Sequence, residues 1–180
     1  MIHDRTIEPR PGIPWNVRRA TPADLEAILA IQQGSPEAPA WRNPTWRQML
    51  TMDQAGPLIR VCLVAEGENG ALRSRCVLGF CVACCAGEWS ELESVATVVS
   101  ARGQGVGRAL CREVMAWSRG QGARVMELEV RASNGAAQAL YRSLGFADQG
   151  VRRNYYQDPV EDAVLMSAEL LMAAGTGVLA

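Results

Sequence analysis

Leu25, Ile28 and Leu29 recur at the three- and four-residue spacing of one helix face. Thr21 stands where an N-cap is expected, Pro22 suits the first helical position and Asp24 the first turn, so a helix is expected from there to about Gln33. Trp15 to Ala20 reads as a short strand ahead of it. Before that strand, Pro9, Pro11 and Pro14 predict a loose N-terminal arm over 1–14. Gly34 to Asn43 carries glycine, serine and two prolines and reads as a loop, after which Pro44 opens a second helix through Met52. Leu58 to Glu66 and Cys76 to Cys85 are β-rich runs separated by Gly67, Asn69 and Gly70, which predicts two antiparallel strands joined by a mobile loop. Glu88 to Val99 continues as a third.

The period then changes. Val106, Leu110, Val114 and Trp117 follow helical spacing and stop near Gly120 and Gly122. From Arg124 to Arg131 strict alternation returns, with Met126, Leu128 and Val130 on one face and Glu127, Glu129 and Arg131 on the other. Asn134 to Leu144 reads as a short helix ended by Gly145, and Gly150 to Tyr156 and Ala163 to Leu170 as strands. The expected order is β-α-α-β-β-β-α-β-α-β-β, an α/β domain over 15–170 with a flexible tail over 171–180 and no internal repeat.

Composition narrows the class. A chain of 180 residues suits one domain, which buries roughly 70% of its unfolded surface. With 48% hydrophobic and 21% charged residues it reads as globular rather than disordered or fibrous. Its 18 basic and 19 acidic side chains leave a net charge of -1, so nothing in the composition supports direct nucleic-acid binding. No apolar run approaches the ~20 residues that span a bilayer, and the first residues lack the apolar core of a signal peptide. No membrane partner and a cytoplasmic location are therefore expected. The six cysteines are expected to be buried free thiols. Cys81 and Cys84 form a CxxC, but residues three apart on a strand face opposite sides, and the single histidine, His3, is distant. No metal site is expected.

Candidate chemistry begins at Arg102-Gly103-Gln104-Gly105-Val106-Gly107-Arg108, which joins a strand to a helix. Glycines allow close backbone approach to a phosphate, and the first helical N–H groups point at an anion with the helix dipole behind them. A P-loop reading fails because Gly-Lys-Ser/Thr is absent, and a GxGxxG finger fails because Arg108 or Leu110 stands where glycine is needed. Alone, the loop is equally compatible with a plain turn.

Arg102-x-x-Gly105-x-Gly107 resembles the phosphate-loop pattern of the GNAT superfamily of N-acetyltransferases. Leu128-Glu129-Val130-Arg131-Ala132-Ser133-Asn134, followed by Ala139-Leu140-Tyr141-x-x-Leu144-Gly145-Phe146, is similar to its second signature. Arg152-Arg153-Asn154-Tyr155-Tyr156 and Glu161-Asp162-Ala163 resemble the closing segment of the bacterial RimI family, which acetylates the N-terminal alanine of a small-subunit ribosomal protein. The likeness is strong from about Leu92 to Met166 and faint from Trp15 to Met49.

The resemblance implies a mixed, twisted sheet of six to seven strands flanked by helices and splayed between the fourth and fifth strands, with acetyl-CoA as cosubstrate in the opening. It implies that Val95, Ala96 and Thr97 hold the pantetheine, that Gly103, Gln104, Gly105, Val106, Gly107 and Arg108 with Arg102 hold the pyrophosphate, and that Asn134 and Tyr141 contact the cofactor. Glu129 and Tyr141 match the family's general base and general acid. Glu127, Arg131, Tyr155 and Tyr156 would border the cleft for an N-terminal peptide of a ribosomal protein. The loop and helix from Gly34 onward would form an acceptor lid, with Trp41 and Trp46 either shaping the cleft or anchoring the core.

The chain departs from the RimI pattern at Glu93 and Ser94, where members carry an apolar or amide residue, and at Thr97, where valine is usual. Glu91 and Glu93 lie on the preceding strand, where other GNAT branches place a base, Glu91 near that position, so these two and water compete with Glu129 for that role. An amine attacks a thioester only when unprotonated, which calls for a base and an acid but no nucleophilic cysteine. The expected activity is protein N-terminal acetylation. A small-amine or lysine acetyltransferase and a non-catalytic acyl-CoA-binding module are the alternatives.

Overall fold

The most apolar stretches, Val61–Ala65 and Leu78–Cys85, have hydrophobic side chains on both faces and therefore need cover on both sides. In the computed structural model, which describes residues 15–51, 56–69 and 74–170, they are the central parts of two neighbouring strands, β2 (Ile59–Asn69) and β3 (Ser74–Ala86). The N-terminal arm, the C-terminal tail, Met52 and Gly70 lie outside the described residues. β1 (Trp15–Arg19) pairs antiparallel with β2, β2 with β3, and β3 with β4 (Trp89–Thr97).

Helices supply the cover. α1 (Leu25–Gln33) and α2 (Asn43–Thr51) pack Ile28, Ile31 and Trp46 against Cys62, Val64, Phe80 and Val82 on one face. α3 (Val106–Gly120) packs Val106, Leu110, Cys111 and Val114 against Val61, Leu63, Ala65, Cys81 and Ala83 on the other. α3 starts and ends within a residue of the glycines expected to bound it. The first turn expected of α1 is instead a 3-10 turn, Pro22–Asp24. Asp24 closes it, accepting from the Thr21 backbone N–H at 2.7 Å and the Thr21 hydroxyl at 2.9 Å. Arg18 binds the same carboxylate at 2.8 Å and holds its pKa down at about 2.

β5 (Val125–Arg131), α4 (Gly135–Arg142), β6 (Ala147–Gln157) and β7 (Val160–Glu169) complete a seven-stranded sheet of order β1-β2-β3-β4-β5-β7-β6. Among the described residues, only the β4–β5 pair is parallel. All six cysteines are free and five are buried, with Cys81 in the α3-side core and Cys84 beside Glu91 and Glu93, so the CxxC does face two ways. Burial pushes the Cys62 and Cys84 thiols up to about 12, which keeps them protonated.

Candidate active site

β4 and β5 stay together for only three residue pairs, Trp89 with Val125, Ser90 with Met126 and Glu91 with Glu127. Beyond them the strands part, although β4 continues to Thr97 and β5 to Arg131. A bulge in β4 marks the parting. Val82 pairs with Ser94 and Ala83 with Leu92, so Glu93 is the extra residue. It reverses the sidedness of the strand: Leu92 belongs to the α3-side core, whereas Ala96 belongs to the α1/α2-side core. The β4 edge from Leu92 to Thr97 thus faces an opening rather than a strand, and main-chain groups on that edge are available to a ligand.

The opening is part of a cleft of about 850 Å³ that runs to the start of α3. Gly103 at φ 73° and Gly105 at φ 87° take backbone conformations that cost other residues about 1–2 kcal/mol. Gly105 caps α3, and the first helical bond is donated by Ala109 N–H to Gly105 C=O at 3.0 Å. The N–H groups of Val106, Gly107 and Arg108 therefore point out of the helix end toward the cleft, at the positive pole of a 15-residue helix. Arg102, Arg108 and Arg112 line the same end. Arg102 pairs with Glu37 of the α1–α2 loop at 2.9 Å, and Arg108 donates to Ser143 Oγ at 2.9 Å.

Farther along the cleft stand Glu129 and Tyr141. Tyr141 is only 7% exposed; its ring packs on Phe146 at 5.9 Å, and burial holds its hydroxyl well above the usual phenol range. It therefore stays protonated at neutral pH. Glu129 forms an ion pair with Arg152 and accepts a hydrogen bond from the Tyr155 hydroxyl, which that bond pushes upward in pKa. Tyr156 lines the cleft with its hydroxyl raised to about 12, chiefly by burial and then by the Glu129 charge. Glu91 is raised by burial first and then by Glu93, Glu129 and Glu127. The arrangement combines an anion cradle, a free strand edge, a carboxylate and a protonated phenol.

The family model for the acetyltransferase (GNAT) family matches residues 25–146, more than half of the chain. The chain belongs to that family. A Bacillus subtilis (strain 168) protein, provisionally assigned as a ribosomal protein bS18-alanine N-acetyltransferase, is 28% identical over 150 residues, 83% of this chain and 92% of the relative. The Escherichia coli (strain K12) ribosomal protein bS18-alanine N-acetyltransferase is 48% identical over 71 residues, 38% of this chain and about half the relative's length, at 48%. The crystal structure of the E. coli ribosomal-protein-S18-alanine N-acetyltransferase superposes with a TM-score of 0.68 at 29% identity, covering 91% of this chain and 98% of that one. Arabidopsis thaliana NAA60 in complex with acetyl-CoA superposes at 0.74 with 19% identity, over 87% of this chain and 98% of that one, a likeness of fold.

The GNAT cleft gathers most of the residues that the sequence nominated. Val95, Ala96, Thr97, the whole of Arg102 to Arg108, Glu129, Arg131, Asn134, Tyr141 and Tyr156 line it. Asn134 also caps α4, its side-chain oxygen accepting from Ala137 N–H at 3.1 Å. Arg131 is committed to the hairpin: it pairs with Glu161 at 3.1 Å and lies 4.2 Å from the Tyr156 ring centroid. Two nominated residues fall elsewhere. Glu127 sits where the strands are still joined, exposed and bound by the Trp89 indole N–H at 2.9 Å. Tyr155 contacts Glu129 but does not line the cleft.

Trp41 and Trp46 are core anchors. Trp46 is fully buried against Phe80, and the Gln32 side-chain oxygen accepts from both the Trp41 backbone N–H and the Trp46 indole. The α1–α2 loop instead reaches the cleft through Glu37, Ala38 and Pro39. Sequence reasoning missed Arg112, although its four-residue spacing from Arg108 puts both on one helix face. Glu37 carried no sequence signal.

Proposed function

We propose that this chain moves the acetyl group of acetyl-CoA to the α-amine at a protein N-terminus, with the N-terminal alanine of a small-subunit ribosomal protein as acceptor and the cytoplasm as its compartment. The observation that carries this reading is the continuity of one cleft from the glycine-bounded start of α3, along the unpaired β4 edge, to Glu129 and Tyr141. The relatives named for ribosomal protein bS18-alanine acetylation support the choice of acceptor.

The donor fits the residues present. The N–H groups that open α3, with Arg102, Arg108 and Arg112, hold the diphosphate, and the β4 edge from Val95 to Thr97 holds the pantetheine amides. Acetyl-CoA supplies the acetyl group as a thioester. Glu129 takes the proton from the acceptor ammonium, and Tyr141, kept protonated by burial, donates to the departing thiolate. An α-amine has a pKa near 8 against about 10.4 for lysine, so freeing the nucleophile costs about 3 kcal/mol less at a protein N-terminus. A single carboxylate meets that smaller demand.

Turnover on a panel of N-terminal peptides, blocked lysine peptides and polyamines tests the reading. The N-terminal alanine peptide is expected to lead by at least tenfold in kcat/KM. A leading polyamine would replace the ribosomal acceptor with a small amine, and acetyl-CoA binding without any turnover would make the chain a binding module.

A further inference from the structure

Of Glu129 and its two partners Arg152 and Tyr155, Glu129 alone lines the cleft. Both partners hold the carboxylate. The Arg152 guanidinium forms the ion pair, lies 5.0 Å from the Tyr155 ring centroid, and has a half-exposed side chain, whereas Glu129 is largely covered. The placement is built into β6. Pairing with β7 breaks between Arg152 and Tyr156, Asn154 takes a positive φ of 50°, and its N–H donates to Asp162 at 2.8 Å. A bulge fixed in this way re-aims the side chains on either side of it, here Arg152 and Tyr155, onto one carboxylate. The other nearby cations are engaged elsewhere, Arg131 with Glu161 and Arg153 with Asp162.

An acceptor ammonium that gives its proton to Glu129 must approach a carboxylate whose Oε1 Arg152 already holds. The exchange of one cation for another conserves charge, and the displaced guanidinium, on a long and half-exposed side chain, needs a new acceptor. Every peptide N-terminus carries one close by: the carbonyl oxygen of its first residue is separated from the amine nitrogen by two carbons. Lysine side chains and simple amines have none there. We propose that Arg152 is the specificity-determining residue for α-amino-acyl acceptors, yielding Glu129 to the ammonium and donating to the first carbonyl oxygen instead. This inference rests on the reading of the site as an N-terminal acetyltransferase with Glu129 as base.

The test compares an alanyl peptide with the same peptide whose first peptide bond is replaced by an uncharged E-alkene lacking the carbonyl oxygen, on wild type, Arg152→Met and Arg152→Lys. Because both acceptors meet the same competition for Glu129, the ratio of their kcat/KM values isolates the carbonyl contact. In wild type the ratio is expected to favour the alanyl peptide, and in Arg152→Met to fall about tenfold or more, the usual worth of a hydrogen bond from a charged donor. Arg152→Lys should recover part of it, with KM for acetyl-CoA unchanged in both variants. A ratio unchanged in Arg152→Met, in protein that keeps its acetyl-CoA thermal shift, overturns the role of Arg152 while leaving the N-terminal acetyltransferase intact. Wild type inactive on both peptides overturns the functional reading and this inference together.

Discussion

The two sides of the β4–β5 split are built to different rules. On the N-terminal side, β2 and β3 are covered on both faces and nearly every residue from Val61 to Ala65 and from Leu78 to Cys85 is buried. On the C-terminal side, β5 alternates, β7 is covered intermittently, and β6 is exposed along almost its entire length. Charged and phenolic side chains cluster on this open side because they need water or one another. Buried apolar packing is therefore concentrated before the split, the proposed acceptor chemistry lies after it, and the proposed donor cradle lies at the seam.

Variants on the two sides should separate accordingly. The largest effect is expected from Trp46→Ala, which empties a fully buried site beside Phe80; a loss of about 3–5 kcal/mol is expected in chemical denaturation. Retained stability would show that the N-terminal side is not the anchor. Glu129→Gln should lower turnover about a hundredfold or more while leaving the acetyl-CoA thermal shift in place. Unaltered turnover would pass the base to Glu91 or to water.

Acid sharpens the contrast further, because two carboxyls shift in opposite directions. Asp24 is lowered to about 2 by Arg18 from 3.8, so its contribution is complete above the unfolded pKa and is lost as pH falls from 3.8 toward 2. Asp24→Asn is expected to remove about 2 kcal/mol at pH 7 and to flatten that acid limb. Glu91 is raised by burial and by Glu93, Glu129 and Glu127, so its charge destabilises at neutral pH and the cost vanishes as pH falls through its folded pKa. Glu91→Gln should raise Tm by about 1–2 °C at pH 7, and a fall would mean that its charge is compensated. The smallest effect belongs to the seam. Glu37→Gln frees Arg102 from a surface ion pair and should tighten acetyl-CoA binding about two- to fivefold in calorimetry; no change would mean that Arg102 does not bind the donor.

Legibility in the sequence follows the same division. Helix and strand order was readable from periodicity, because α1, α3 and β5 each bury one face against a continuous core. The glycine turn and the start of α3 were readable too, since positive φ at Gly103 and Gly105 and the helix start at Val106 are local properties. The β4 bulge was not. Leu92, Ser94 and Ala96 alternate in sequence as though they shared a face, yet the extra residue at Glu93 sends Leu92 and Ala96 to opposite cores. Glu127 looked equivalent to Glu129 for a related reason: alternation assigns both to the polar face, and only the point where β4 leaves β5 separates them.

By itself the sequence determined the elements, their order and the glycine turn before α3, since these depend on backbone preferences and apolar spacing over a few residues. Tertiary structure alone decided where the sheet opens, which carboxylate faces the gap, that Trp46 is core, and that Arg152 sits on Glu129. Those outcomes depend on register and side-chain encounters between segments distant along the chain, such as the 152–129 pair and the 93–60 pair. Local pattern carries no information about which of several chemically similar groups will meet.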